Sequence, residues 1–124
     1  NPPKIMAQIL NKKYGNTKFY IDGDEIKDKK HGTTLYYIDG NEVREKSRHG
    51  KVKFHFDNHE IRRDSRHGSI KYYVDNDEVR DKRHGNLVYF IDGSNIRDKR
   101  HGSLVYYIDG SLTKDQLMGL IAII

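Results

Sequence analysis

The sequence predicts an all-β fold: a repetitive antiparallel meander of β-hairpins, curled as a single-layer sheet of about eleven short strands and ended by a short C-terminal helix. Three observations predict it. An aspartate recurs at Asp22, Asp39, Asp57, Asp75, Asp92 and Asp109, and a His-Gly pair at His31-Gly32, His49-Gly50, His67-Gly68, His84-Gly85 and His101-Gly102. The period is 17 or 18 residues, the mark of a chain built from stacked units. Each period also reads as two short strands, the first rich in aromatic and β-branched residues, separated by Asp-Gly or Asp-Asn, a strong hairpin signal. Finally, a single pairing register keeps the apolar residues on one face through every unit.

That register follows from the turns. A two-residue turn at Asp39-Gly40 places Ile38 opposite Asn41, Tyr37 opposite Glu42 and Tyr36 opposite Val43. A three-residue loop at Lys30-His31-Gly32, with Gly32 in the left-handed bulge position, places Ile26 opposite Tyr36. Two units are one residue longer, at Ser47-Arg48-His49-Gly50 and Ser65-Arg66-His67-Gly68. A four-residue loop there places Val43 opposite Phe54, so the extra residue is absorbed and the register survives. A hairpin solenoid with parallel-stacked units is the alternative, because identical residues ladder in that fold too.

One face then carries the row Phe19, Ile26, Tyr36, Val43, Phe54, Ile61, Tyr72, Val79, Tyr89, Ile96, Tyr106. Ile21, Ile38, Phe56, Val74, Ile91 and Ile108 lie beside it, and Val52, Ile70, Leu87 and Leu104 form a third row. Tyr36, Phe54, Tyr72, Tyr89 and their row mates are the expected core. The opposite face carries Leu35, Arg44, Lys53, Arg62, Lys71, Arg80, Val88, Arg97 and Val105. Next to that row run Tyr37, Glu42, His55, Glu60, Tyr73, Glu78, Phe90, Asn95 and Tyr107. Basic and acidic rows side by side read first as mutual neutralisation of exposed charge.

The chain is expected to form one domain over residues 1–124: a half-unit at 9–15, units over 16–110 and a capping helix at 113–124. Residues 9–15 match 26–32, with Tyr14 where His31 stands. Asn1-Pro2-Pro3 is expected to fray. Thr113 with Gln116 three residues later is a capping box, so a helix is expected from about Lys114. Its apolar stretch 117–124 is too short to span a membrane. It is expected to cover the apolar face, with the sheet curling around it or a second copy covering the remainder.

Composition limits the function. Of the 124 residues 33% are charged, mean hydropathy is −0.92 and net charge is +5, a mildly basic balance that suits an acidic partner. Nine Tyr, four Phe and the regular apolar comb argue against disorder. Without cysteine there is no disulfide or thiolate chemistry. No signal peptide is visible, which favours the cytoplasm.

No catalytic constellation appears. Ser, His and Asp belong to repeated turns, whereas catalysis needs one asymmetric site. Turn histidines in adjacent units are two strands apart, ~9–10 Å, too far to share a zinc ion. Asp22-Gly23-Asp24-Glu25 and Asp75-Asn76-Asp77-Glu78 lack the length and closing glutamate of a calcium loop. No enzyme activity, cofactor or metal is therefore expected.

The unit Tyr-Tyr-Ile-Asp-Gly-x-x-Ile-Arg-Asp-Lys-x-His-Gly, closed by Asp109-Gly110-Ser111-Leu112-Thr113 and an apolar helix, resembles tandem repeats of small uncharacterised bacterial proteins. It is distantly similar to MORN repeats, whose period is longer and whose glycine spacing differs. Choline-binding repeats share the Tyr-Tyr and Asp-Gly rhythm but use tryptophan cages, and this chain has no tryptophan. The MORN likeness implies scaffolding or membrane-surface contact, by fold analogy.

The expected function is a non-enzymatic repeat scaffold for protein interaction or self-assembly, its partner another protein or a second copy of itself in a homo-oligomer. Its contact surface is expected at Arg44, Lys53, Arg62, Lys71, Arg80, Arg97, Tyr37, Tyr73 and Tyr107. The alternative is an anionic partner, nucleic acid or an anionic membrane surface, held by the basic turns at Lys29, Lys30, Lys46, Arg48, Arg66, Lys82, Arg83, Lys99 and Arg100.

Overall fold

Among the described residues, aromatic and β-branched runs alternate with short charged runs centred on one Ile or Val, and tight turns divide them into twelve short strands. The structure, a computed structural model, describes residues 6–124. The fraying expected of Asn1-Pro2-Pro3 lies outside the described residues. The strands are β1 (Met6–Leu10), β2 (Thr17–Asp22), β3 (Glu25–Lys27), β4 (Thr34–Asp39), β5 (Glu42–Glu45) and β6 (Val52–Phe56). They continue as β7 (Glu60–Arg63), β8 (Ile70–Asp75), β9 (Glu78–Arg80), β10 (Leu87–Asp92), β11 (Asn95–Arg97) and β12 (Leu104–Gly110), followed by α1 (Lys114–Ile123).

Every strand pairs antiparallel with its sequence neighbours, as the meander requires. The sheet is nevertheless neither open nor a solenoid, because β1 pairs with β12 as well as β2 and closes a twelve-stranded barrel. The half-unit explains the closure. In every complete hairpin the last apolar residue before the turn faces the first one after it: Ile21 faces Ile26, Ile38 faces Val43, and Ile91 faces Ile96. Ile108 has no following strand in its own unit, and Ile9 of β1 takes that place. Gly110 lets β1 pass close: a Cβ there would lie 2.8 Å from the Met6 carbonyl oxygen.

The expected turn centre is shifted by one residue. Asp39 pairs with Glu42 and Ile38 with Val43, so the central residues are Gly40 and Asn41, not Asp39 and Gly40. Gly23, Gly40, Asn76 and Gly93 have positive φ and the residue after each does not, the φ signature of a type II′ turn. Both ends of each pairing move together, so the residues keep their faces. Across the other loops Ile26 faces Tyr36 and Val43 faces Phe54, as expected.

The His-Gly loops differ from the expected three-residue bulge. The left-handed residue is the histidine, with His31, His84 and His101 at φ near 62°, and Tyr14 at 64° in the half-unit. In the two longer loops Lys46 and Asp64 take that conformation. The glycine serves close approach instead: Asp28 Oδ1 lies where a Gly32 side chain would start, held there by the Thr33 N–H at 2.9 Å.

Each long strand also carries a bulge the alternation pattern does not anticipate. Ile61 faces Tyr72 and Arg62 faces Ile70, so Lys71 is the extra residue. Lys18, Leu35, Lys53, Val88 and Val105 are skipped in the same way. A bulge sets two residues against one and reverses the faces beyond it. Val52, Ile70, Leu87 and Leu104, expected on the apolar face, therefore pair with Arg44, Arg62, Arg80 and Arg97 on the outer wall. Lys71 and Val88, expected outside, turn towards the barrel interior, where Val88 packs against the core.

Twelve strands at ~4.8 Å spacing give a circumference of roughly 60 Å and a width of about 20 Å, enough for one helix inside. α1 fills that space, so the sheet curls around its own helix. Thr113 caps it: its hydroxyl accepts from the Gln116 N–H at 3.1 Å, and its own N–H donates to Gln116 Oε1 at 2.9 Å. Gln116 Nε2 also donates to the Gly23 carbonyl at 2.8 Å, fixing this helix end at the hairpin-turn rim. At the far end Lys71 Nζ donates to the Ala122 carbonyl at 2.7 Å and the Tyr89 hydroxyl to the Ile124 carbonyl at 3.0 Å. Leu120 and Ile121 meet a fully buried girdle that includes Ile9, Ile21, Ile26, Val43, Ile61, Val79 and Ile96. Tyr36, Phe54 and Tyr89, expected as core, are only partly buried. With Tyr72 they form a collar near the mouth, because they lie beside the bulges rather than at the helix waist.

Candidate functional site

Strand alternation sorts charge to the two ends of the barrel. The six loops at residues 11–16, 28–33, 46–51, 64–69, 81–86 and 98–103 hold twelve Lys and Arg against four Asp. The five hairpin-turn segments at 22–25, 39–42, 57–60, 75–78 and 92–95 hold eleven Asp and Glu and no Lys or Arg. A basic rim and an acidic rim result. The basic rim's net +8 exceeds the +5 of the whole chain. The helix dipole is aligned to suit, its negative C-terminal end at the basic rim and its positive end at the acidic rim.

Most acids on the basic rim are engaged in turn geometry. Asp28, Asp81 and Asp98 accept from the backbone N–H groups of Thr33, Asn86 and Ser103 at 2.9 Å. Among the described residues none of the twelve rim cations joins an ion pair. Their charge faces solvent.

The expected contact residues divide three ways. Arg44, Arg62, Arg80 and Arg97 clasp the fold: each donates to the carbonyl of a loop glycine, Gly50, Gly68, Gly85 or Gly102, at 2.8–3.0 Å. The first three also hold Glu42, Glu60 and Glu78 at 2.8–3.1 Å, so the neutralisation read from the paired rows is realised there. Lys71 serves α1, with its ammonium 4.7 Å from the Phe54 ring centre and 5.1 Å from that of Tyr72. Burial, and then the charge of Arg63, lower its pKa. Lys53 lines a cleft at the barrel mouth.

Tyr37, Tyr73 and Tyr107 lie on the outer wall, and of the three Tyr107 reaches the basic rim. Tyr37 donates to Asp24 Oδ2 at 3.4 Å, and Tyr73 stacks on His59 with ring centres 5.5 Å apart. Tyr107 lines a groove with Lys13 and Tyr14, the latter 91% exposed. Arg44, Arg62, Arg80, Arg97, Tyr37, Tyr73 and Tyr107 therefore share the outer wall where the two rows placed them, whereas Lys53 and Lys71 turn to the barrel mouth. Alternation alone did not place Lys53 and Lys71, since a bulge leaves no sequence signal of its own. The Lys-aromatic pairs Lys18-Phe19, Lys53-Phe54 and Lys71-Tyr72 were the one available hint.

Among the described residues no three His, Asp or Glu converge on a metal-sized point, and no helix is long and apolar enough to cross a membrane. No family model, curated protein or solved structure matches the chain.

Proposed function

We propose that this protein is a non-enzymatic interaction module that docks end-on, through its basic rim, onto an anionic membrane surface. The twelve unpaired cations on six loops at one end of the barrel carry this reading. The loops ring the mouth, so they offer a broad face rather than a track for a single strand. Tyr37 and Tyr73 lie on the outer wall instead, and Tyr14 is the one aromatic ring of Phe, Tyr or Trp within the six loops. Each Lys or Arg near an anionic bilayer contributes ~1 kcal/mol, so part of the ring suffices for micromolar affinity, about −8 kcal/mol.

Co-sedimentation with phosphatidylserine-containing and pure phosphatidylcholine vesicles tests it. Binding is expected only to the anionic vesicles and falls steeply with salt. Reversing Lys29, Lys82 and Lys99 to Glu abolishes it, whereas Lys114→Glu at the other rim leaves it intact. Equal binding to neutral vesicles, or no salt response, sinks the reading. Preference for a single-stranded oligonucleotide redirects it to nucleic acid.

The acidic far rim favours a second reading, head-to-tail self-association of barrels by rim complementarity. The apolar face expected to drive self-assembly is filled by α1, so any such assembly rests on charge. Light scattering that shows oligomers only at low salt supports it, and a monomer at every ionic strength removes it.

A further inference from the structure

We propose that the cleft at the barrel mouth binds a single-chain amphiphile with an anionic head, of the fatty-carboxylate class. This goes beyond docking at the rim, because the cleft takes one small molecule rather than a surface. It measures about 410 Å³, within the ~300–1,000 Å³ of small-molecule sites, and barrel mouths are a usual location for them.

The cleft has an apolar wall and a cationic lip. Phe19, Leu35, Tyr36 and Ile123 form the wall beside the end of α1. Lys46 and Lys53 stand with Thr33, Thr34 and one acid, Glu45. Among the described residues neither lysine's ammonium has a hydrogen-bond or ion-pair partner, so Glu45 leaves the lip net cationic.

The neighbouring unit shows what Lys53 lacks. Both Lys53 and Lys71 are bulge residues. Lys71 meets a carbonyl oxygen of the helix and two aromatic faces. Lys53 occupies the equivalent bulge and is half-buried, and its ammonium has no hydrogen-bond or ion-pair partner among the described residues. An oxygen-bearing anion supplies that partner, and its tail replaces water along the apolar wall.

Titration of the full chain with monomeric decanoate, followed by amide NMR shifts, tests the site. Saturable one-to-one shifts are expected at Leu35, Lys53 and Ile123. Decanol binds about tenfold more weakly and decyltrimethylammonium more weakly still. Lys53→Met removes the preference for decanoate over decanol, and Lys53→Gln serves the same purpose if that variant does not fold. Leu35→Glu abolishes binding of both. No saturable shift, shifts confined to the rim loops, or an unaltered preference in both Lys53 variants overturns the proposal. Because decanoate presents no surface, that failure leaves the vesicle result untouched, and the reverse also holds.

Discussion

Ile9 lies directly across from Ile108, and that pairing of the first and last described strands makes the sheet a barrel. It repeats the contact that Ile21 makes with Ile26 within one hairpin. The sixth hairpin is therefore assembled from two ends of the chain.

Closure should then depend on Ile9 as strongly as on any core residue. Ile9 is fully buried, so Ile9→Ala is expected to destabilise by about 3 kcal/mol in chemical denaturation. Ile108→Ala should couple to it in a double-mutant cycle by about 1 kcal/mol. Strict additivity would mean that the two do not meet in solution.

Gly119 sets how closely α1 approaches the wall. A Cβ there would stand 2.6 Å from Ile38 Cδ1 and 3.0 Å from its Cγ1. Gly119→Ala gains ~1 kcal/mol in helix propensity but overpacks a filled interior, a penalty of ~1–3 kcal/mol. A net loss is expected, and Ile38→Val, which removes the clashing methyl, should restore it. Measured melting temperatures would then place the double variant above Gly119→Ala alone.

Alkaline pH should loosen the mouth. Burial first, and then Tyr72 and Tyr106, push the Tyr89 phenol from its ordinary 10 up to about 12. The folded state then holds a proton that the unfolded chain has lost. Tyr89 therefore contributes stability in full below about pH 10, and this is lost as pH rises towards 12. Discounted for partial exposure, the loss is about 1 kcal/mol. Tyr72, also raised by burial, adds to it, while Lys71, lowered by burial, opposes it. Denaturation curves at pH 9 and pH 11 should converge for Tyr89→Phe relative to the parent.

The turn histidines give a sharper test of what is kept for folding. His84 holds φ at 62°, a conformation that disfavours side chains. His84→Gly is expected to stabilise by about 0.5–1 kcal/mol. A clear loss of stability would mean that the imidazole makes a contact of structural value.

Arg62 is expected to matter for stability and not for docking. It holds the Gly68 carbonyl at 2.8 Å and Glu60 at 3.0 Å. Arg62→Met should cost about 1 kcal/mol, since the site is partly exposed. Its binding to anionic vesicles, measured well below its melting point, should match the parent.

The repeated Asp-Gly and His-Gly signals made antiparallel pairing of sequence neighbours the first reading, with a parallel-stacked solenoid as the alternative, and marked the outer Arg-Glu rows and the basic turns. These depend on local turn chemistry and on the two-residue alternation, which every unit states again. The capping box at Thr113 and Gln116 likewise marked where α1 begins, because helix caps are local. Closure was decided by tertiary structure alone: the half-unit at residues 9–15 announces a missing partner, but only strand twist and the bulges bring Ile9 to Ile108. The inward turn of Lys53 and Lys71 was hidden for the same reason. A bulge reverses faces through hydrogen-bond pairing with another strand, and within the strands the pairs Lys53-Phe54 and Lys71-Tyr72 give only a hint of it.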